Sequence, residues 1–500
     1  MKLCSNLPNP FMINPMFETA LATAQKIRSR ELSARETVQS ALNDIEARDG
    51  EIGAFLSLVD AALEQADGID AQIARGEDVG PLAGVPIALK DNLNLTGTIT
   101  TAGSRMLEHY RSPYSATAVN KLLGGGLIPI GKTNLDEFAQ GSSTEKSAFQ
   151  LTHNPHDLSR VPGGTSGGSA AAVSAGFVPL ALGTDTGGSV RQPAAFCGTL
   201  GFKPTYGRIS RYGVIATASS LDQVGALARS SADLAALLDL ISGHDPFDAT
   251  SLEVLPRFTA ALSSGVKGMR FGFITESLGS ANSSGVQQAL ERVRTVLEGL
   301  GASFGEISLP ALEYNIAAYY IINTAEISSN LARYDGMVYS SRVQTGDFNS
   351  SMSASRGQGF GPEVLKRILM GTYALSSGYY DAFYSKALKV RRLIANDFAR
   401  AFEHFDVLVT PTSPFPAFKF GEFSSDPLAM YLADVDTVSL NLAGLPGISV
   451  PAGMESLGGS NLPIGVQFIG PVLGDERLLS VSQAFEEATL SEFLKVAAQA

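Results

Sequence analysis

Three stretches of this sequence carry side chains whose types could do chemistry together. Lys90 follows the apolar run Val85-Pro-Ile-Ala-Leu89 and precedes Asp91-Asn92. A lysine at the end of a buried strand loses hydration, which lowers its pKa and frees a neutral amine to act as a base. Gly163-Gly164-Thr165-Ser166-Gly167-Gly168-Ser169 sets hydroxyls among glycines ahead of an alanine-rich helix. Gly183-Thr184-Asp185-Thr186-Gly187-Gly188-Ser189 runs into Val190 and then Arg191-Gln192-Pro193, which reads as a helix start. Glycines before a serine at a helix start leave backbone N–H groups free to hold an oxyanion, helped by the helix N-terminus. Each piece alone has a plainer reading: a surface lysine, a tight turn, an anion nest. Together they supply a base, a hydroxyl nucleophile and oxyanion donors, which is the chemistry of acyl transfer.

Other motif matches lack their required context. Gly126-Leu-Ile-Pro-Ile-Gly131-Lys132-Thr133 fits a phosphate-loop pattern. Here a helix precedes it and its middle is a buried strand, the reverse of the order a phosphate loop needs. Gly164-Thr165-Ser166-Gly167-Gly168 fits G-x-S-x-G. None of the five histidines, His109, His153, His156, His244 and His404, sits in a glycine-rich polar segment that would make it the base of a Ser-His-Asp enzyme. Cys4, Cys197 and these histidines have no metal-ligand spacing.

Composition bounds the elements that must position these residues. The chain has 500 residues, 44% hydrophobic and only 17% charged, which excludes a disordered chain. Its 51 glycines imply many tight turns and close backbone approaches. A net charge of −12 gives no bulk basic face for nucleic acid. Two cysteines make a disulfide framework implausible and a reducing cytoplasm the default. The first residues have no apolar core of a signal peptide. The 24 uncharged residues Val161–Thr184 hold six glycines and two prolines, so they read as loop, helix and strand, with no membrane span.

Residues 1–13 read as a flexible tail and 14–495 as one domain. Within it, 14–80 is helical, with Ser33 and Glu36 forming a capping box. Residues 84–230 alternate short buried strands with helices and form the catalytic core. Met269–Ile274, the periodic run Val286–Leu300 and Ser303–Leu309 read as a βαβ unit. Residues 313–405 read as mostly helical and rich in tyrosine. Val407–Thr410, Gly447–Val450 and Ile464–Ile469 read as further strands, and Asp475–Leu490 as a closing helix. The fold class is α/β, with helices on both faces of a sheet.

Gly-Gly-x-Ser-Gly-Gly-Ser, a 24-residue step to Asp-Thr-Gly-Gly-Ser, and the upstream Leu-Lys-Asp-Asn resemble the amidase signature family. That resemblance implies a mixed central sheet covered by helices on both faces, and a Ser–Ser–Lys triad. It makes Ser189 the nucleophile, Lys90 the base and Thr165 the bridging hydroxyl. The family usually has serine at the bridge, on a cis peptide, so Thr165 is a departure with an added methyl and a stiff χ1. Ser166 is expected to point elsewhere. Thr186, Gly187, Gly188 and Ser189 would form the oxyanion hole, with Asp185, Arg191 and Gln192 bracing the loop.

Further blocks resemble one branch of the family, the A subunits of tRNA-dependent amidotransferases. Among them are Thr133-Asn-Leu-Asp-Glu-Phe-Ala139, Gly359-Phe-Gly-Pro-Glu-Val364, Asp426-Pro-Leu-Ala-Met-Tyr-Leu432 and Asn441-Leu-Ala-Gly-Leu-Pro446. This likeness covers roughly residues 20–490. It implies a glutaminase that passes ammonia to a B subunit, the third chain being a C subunit. ATP and magnesium, and most of the hold on the misacylated tRNA, would belong to the partner, and no cofactor or metal to this chain. Glutamine is a zwitterion at its α-carbon and calls for a buried cation and a buried anion. By resemblance Arg367 would take the carboxylate and Asp434 the ammonium, with a hydroxyl from Tyr319, or failing that Tyr320. Two other readings stay open: a free-standing amidase for another small amide, and a structural subunit impaired at Thr165. Gln-tRNA and Asn-tRNA stay open as products.

Overall fold

The computed structural model describes residues 18–424 and 426–499, so the expected tail at 1–13 lies outside the described residues. Eleven strands build one sheet. In chain order they are β1 Phe55–Leu58, β2 Pro86–Lys90, β3 Ile128–Thr133, β4 Leu180–Asp185, β5 Leu200–Lys203 and β6 Gln223–Ala228. The remainder are β7 Arg270–Ile274, β8 Ser303–Ile307, β9 Val407–Pro411, β10 Gly447–Leu457 and β11 Ser460–Ile469. Across the sheet they run β1-β3-β2-β4-β6-β5-β10-β11-β9-β7-β8. Pairing is mixed: β3, β2 and β4 are mutually parallel, as are β9, β7 and β8, and the strands between them pair antiparallel.

Every residue of β2, β3, β4, β5, β6 and β9 is buried. Since successive side chains point to opposite faces, both faces of the central sheet are covered. This is the α/β class that the alternating pattern predicts. The uncharged window around 161–184 resolves into a loop, the helix Gly167–Ser174 and β4. No helix among the described residues is long and apolar enough to cross a membrane.

The N-terminal part begins with helices Ala20–Arg28 and Ala34–Ile52. Ser33 and Glu36 cap the second reciprocally: the Glu36 N–H donates to Ser33 Oγ and the Ser33 N–H to Glu36 Oε2, both at 3.0 Å. Three strands escape sequence reading. β1 interrupts the expected helical stretch and pairs with β3. β5 and β6 are four and six residues long, hold glycine, and show no period-two alternation because both of their faces are buried. Long-range pairing makes them strands.

The apparent phosphate loop is sheet interior. Lys132 and Thr133 close β3, both fully buried. Lys132 Nζ donates to Asp91 Oδ1 at 2.7 Å and to Thr100 Oγ1 at 3.0 Å. This pair fixes the residue directly after Lys90. Breaking a buried pair strands its partner charge, so Lys132→Met is expected to cost about 3–5 kcal/mol. Chemical denaturation checks this, and Asp91→Asn added to Lys132→Met should restore most of the loss.

Candidate active site

β2 ends on Lys90 and aims it beneath two glycine-rich loops. One lies between β3 and the helix Gly167–Ser174, the other between β4 and the helix Arg191–Cys197. Both loops need glycine. Gly163 and Gly164 have φ of +87° and +50°, and a Cβ on Gly164 would sit 2.5 Å from Pro193 Cδ. Gly188 has φ +128°, and a Cβ there would collide with Thr437 Oγ1. Such backbone belongs to glycine alone. Among the described residues every peptide bond is trans, in contrast to the cis bridge expected from the family.

Lys90 is fully buried. Its Nζ donates to Thr165 Oγ1 at 2.7 Å, Thr184 Oγ1 at 2.9 Å and Ser166 Oγ at 3.0 Å. Burial lowers its pKa to about 7, against the opposing pull of Asp136, Asp185 and Asp222. The amine is therefore substantially neutral near neutrality and can accept a proton.

Ser166 is a correction: its hydroxyl faces Lys90 instead of pointing away. It also donates to the Thr184 carbonyl at 3.0 Å and accepts the Thr184 N–H at 3.2 Å. Its proton is thus committed to backbone. For the Thr165 hydroxyl, Lys90 is the only hydrogen-bond partner among the described residues. This leaves Thr165 free to take a second partner, which is what a proton bridge requires.

Ser189 is bound to the bridge segment through backbone, since the Ser166 N–H donates to the Ser189 carbonyl at 3.1 Å. It is 9% exposed, against 0% for Thr165, Ser166 and Lys90, so of the four it is the one with some access to solvent. Of the four expected oxyanion donors, Gly188 is engaged elsewhere. Its N–H donates to Asp185 Oδ1 at 2.9 Å, and the Val190 N–H donates to Asp185 Oδ2 at 3.2 Å. No hydrogen bond among the described residues engages the N–H groups of Thr186, Gly187 and Ser189. The Asp185 carboxylate is held well below its ordinary range. Burial opposes its charge, but Arg191, Lys203 and Asn441 outweigh burial. Arg191 forks onto it at 2.9 and 3.0 Å and also reaches Asn441, Gln467 and the Thr437 carbonyl.

The expected pocket residues converge beside this loop. The Tyr319 hydroxyl lies so close to Gly187 that a Cβ there would strike it. Tyr320 instead stacks on Tyr431, ring centroids 3.9 Å apart, with the Arg367 guanidinium 5.6 Å from its own centroid. A cleft of about 160 Å³ is lined by Ser142, Arg367, Met430 and Tyr431 among others. Arg367 is buried and uses only its Nε, at 2.8 Å to Glu363 Oε1. Its Nη groups make no hydrogen bond among the described residues. Asp434 is buried too, accepting from Ser142 Oγ at 2.5 Å and Gln192 Nε2 at 2.8 Å. Burial raises its pKa to about 7, while Ser142 and Arg367 draw it down.

Sequence reading misses Glu363, Asn323 and Ser142. Asn323 Nδ2 donates to the Tyr319 hydroxyl at 2.7 Å, which leaves that hydroxyl's proton for a ligand. Glu363–Arg367 and Tyr319–Asn323 are both i,i+4 helical pairs, a spacing visible in the sequence. Ser142 has no such signal. Among the described residues no group of His, Cys, Asp and Glu could hold a metal ion.

Comparison with known proteins agrees with this architecture. The family model described as Amidase matches residues 36–479. The A subunit of the glutamyl-tRNA(Gln) amidotransferase from Deinococcus radiodurans is 60% identical over 470 residues, 94% of this chain and 97% of that protein. The crystal structure of the A subunit of the glutamyl-tRNA(Gln) amidotransferase from Thermotoga maritima superposes with a TM-score of 0.76 at 43% identity, covering 91% of each chain. The 6-aminohexanoate cyclic dimer hydrolase, in complex with its substrate, superposes with a TM-score of 0.81 at 28% identity, covering 94% of this chain and 97% of that one.

Two consequences are measurable on amide hydrolysis by this site. Thr165→Val keeps the shape but removes the hydroxyl and should lower kcat about 100-fold or more, the scale of general acid–base relay. Thr165→Ser and Ser166→Ala should each stay within about tenfold of the parent, because neither removes the free hydroxyl. With Lys90 as the base, activity is expected to rise with pH through about 7, where Lys90 loses its proton and Asp434 gains its charge. An unshifted lysine would place that limb near 10.4.

Proposed function

The chain belongs to the amidase family, and on that premise we propose that it is the glutamine-hydrolysing A subunit of a glutamyl-tRNA(Gln) amidotransferase. It releases ammonia from glutamine for the amidation of misacylated tRNA. The observation that carries this reading is the pair of buried opposite charges, Arg367 and Asp434, beside the Ser189 loop. An α-carboxylate and an α-ammonium match them, whereas an apolar amide would leave both uncompensated.

The mechanism we propose is built on these contacts. Glutamine enters with its carboxylate on the Nη groups of Arg367 and its ammonium on Asp434, with a hydroxyl contact from Tyr319. Its side-chain amide points at Ser189. Neutral Lys90 takes the Thr165 proton as Thr165 takes that of Ser189, and Ser189 Oγ bonds to the amide carbon. The N–H groups of Thr186, Gly187 and Ser189 hold the oxyanion, while Gly188 keeps the loop in shape through Asp185. Protonated Lys90 returns its proton through Thr165 to the leaving nitrogen, and ammonia departs. Water then attacks the γ-glutamyl ester by the same relay, releasing glutamate and restoring Ser189.

The ammonia is consumed in a partner B subunit, which binds ATP and magnesium and holds the tRNA. A C subunit completes a heterotrimer, and the complex works in the cytoplasm. This chain's net charge of −12 supports that division, because its bulk charge offers tRNA no basic face.

Ammonia release from glutamine by the co-purified complex tests the assignment, with and without Glu-tRNA and ATP. Ser189→Ala should abolish release. Arg367→Leu and Asp434→Asn should each raise the KM for glutamine about 10- to 100-fold, the worth of a charge-assisted hydrogen bond. A complex that assembles but leaves glutamine intact would refute the assignment.

A further inference from the structure

Gln192 sits between the substrate pocket and the proton bridge, and it touches both. Its side chain is fully buried in the first turn of the helix Arg191–Cys197. Nε2 donates to Asp434 Oδ1 at 2.8 Å and to the Ala433 carbonyl at 3.1 Å. Oε1 accepts the Gly164 N–H at 2.7 Å. Both ends of the amide are therefore in use, and each end serves a different part of the site.

The two parts are joined a second time. The Gly164 N–H also donates to the Ser142 carbonyl at 3.0 Å, and Ser142 Oγ donates to Asp434 Oδ2 at 2.5 Å. Gly164, Ser142, Asp434 and Gln192 thus close a ring of hydrogen bonds. Gly164 is the residue before Thr165, in a left-handed conformation, with Ser189 Cα 3.1 Å from where its Cβ would be. The N–H held by Gln192 and Ser142 lies on the Gly163–Gly164 peptide, one link before Thr165, so a shift of that peptide carries the bridging hydroxyl relative to both Lys90 and Ser189. A turn of the Asp434 carboxylate changes what it offers an ammonium group.

We propose that Gln192 is the positioning residue that ties recognition of the substrate α-ammonium at Asp434 to alignment of the Thr165 bridge, and so makes the site select an α-amino acid amide. This rests on the glutaminase reading above and deepens it. Gln192 touches neither the reacting atoms nor the substrate; it acts through Asp434 on one side and Gly164 on the other. A side chain that only filled space would affect every amide alike. A side chain that orients Asp434 affects only substrates that carry the ammonium.

The test uses the whole complex and two substrates, L-glutamine and glutaric acid monoamide, which is glutamine without its ammonium group. Gln192→Met keeps the length and removes all three side-chain hydrogen bonds. It should raise the KM for glutamine about tenfold and leave the KM for the monoamide within about twofold, as loss of a hydrogen bond to a charged group implies. Its kcat should fall by a common factor of about tenfold on both substrates, because the Gly164 side serves both. Asp434→Asn should raise the glutamine KM by itself. Adding Gln192→Met to it should raise that KM by no more than about twofold further, since residues acting through one another are non-additive.

Equal KM effects on both substrates, or KM effects that multiply in the double variant, would overturn the proposal and leave the glutaminase reading standing. Wild-type complex that hydrolyses neither substrate, or both equally well, would overturn the glutaminase reading and this proposal with it. Should Gln192→Met not assemble, Gln192→Asn, one methylene shorter with the same polar groups, must show the same substrate split. An even loss on both substrates refutes the proposal there too.

Discussion

Everything in this site turns on keeping one amine uncharged inside the protein. Lys90 has no access to water, and burial alone would drive its proton off. Three carboxylates pull the other way, Asp136, Asp185 and Asp222, yet none makes a hydrogen bond to it. Each is engaged elsewhere. Asp136 accepts backbone N–H groups of Ser143, Thr144 and Lys146. Asp185 is forked by Arg191. Asp222 accepts Thr186 Oγ1 and the N–H groups of Thr217 and Ala218. Had any of them paired directly with Lys90, the amine would be a locked cation and no base. Around Nζ the fold places hydroxyls, which can accept from a charged amine and donate to a neutral one. That lets the group change protonation state without losing its partners.

The same economy of contacts shapes the Ser189 loop. Asp185 gathers the Gly188 and Val190 N–H groups, and Arg191 neutralises it. Through Arg191 the loop is joined to Thr437, Asn441 and Gln467, which come from the far end of the chain. Thr437 returns the contact, donating from Oγ1 to the Gly187 carbonyl at 2.7 Å. So the backbone that presents Ser189 is set by residues 250 positions away as firmly as by its own glycines. Gly188 shows the division of labour. Its amide shapes the loop while its neighbours' amides stay free, a distinction that composition and spacing cannot make.

What is legible in the sequence is whatever is local. Lys90 after an apolar run, two glycine loops at helix starts and the Ser33–Glu36 cap are short-range patterns, and the structure brings the first three together. The strands β5 and β6 are not legible, because short segments buried on both faces have no alternation to read. Ser166 escapes sequence reading for a related reason: its orientation follows from Thr184 on β4, which no local pattern encodes. In the pocket, the choice of Tyr319 over Tyr320 rests on resemblance. The structure places the two differently, one tyrosine hydroxyl over Gly187 and the other ring against Arg367 and Tyr431. Glu363 and Asn323 are open to helical spacing, but only once their partners are singled out.

The division between core and pocket also bears on how one fold serves different amides. Lys90, Thr165 and Ser189 lie within 100 residues of sequence on β2 and on the loops before two helices, and nothing in their arrangement is specific to glutamine. Arg367 and Asp434, the charges proposed to select the substrate, come from much later segments. A protein that superposes on this chain at 28% identity and is a hydrolase of a cyclic dimer shows that the fold itself does not name the substrate. The physical demand on a glutamine site is steeper than on a site for an uncharged amide. It must bury two opposite charges and leave both incompletely satisfied until the ligand arrives. On the proposed reading, Arg367 meets that demand with Glu363 on one edge only. Asp434 would meet it with neutral donors, Ser142 and Gln192, which orient the carboxylate and bring no charge of their own. A cation in place of either donor would pair with Asp434 permanently and compete with a ligand's ammonium.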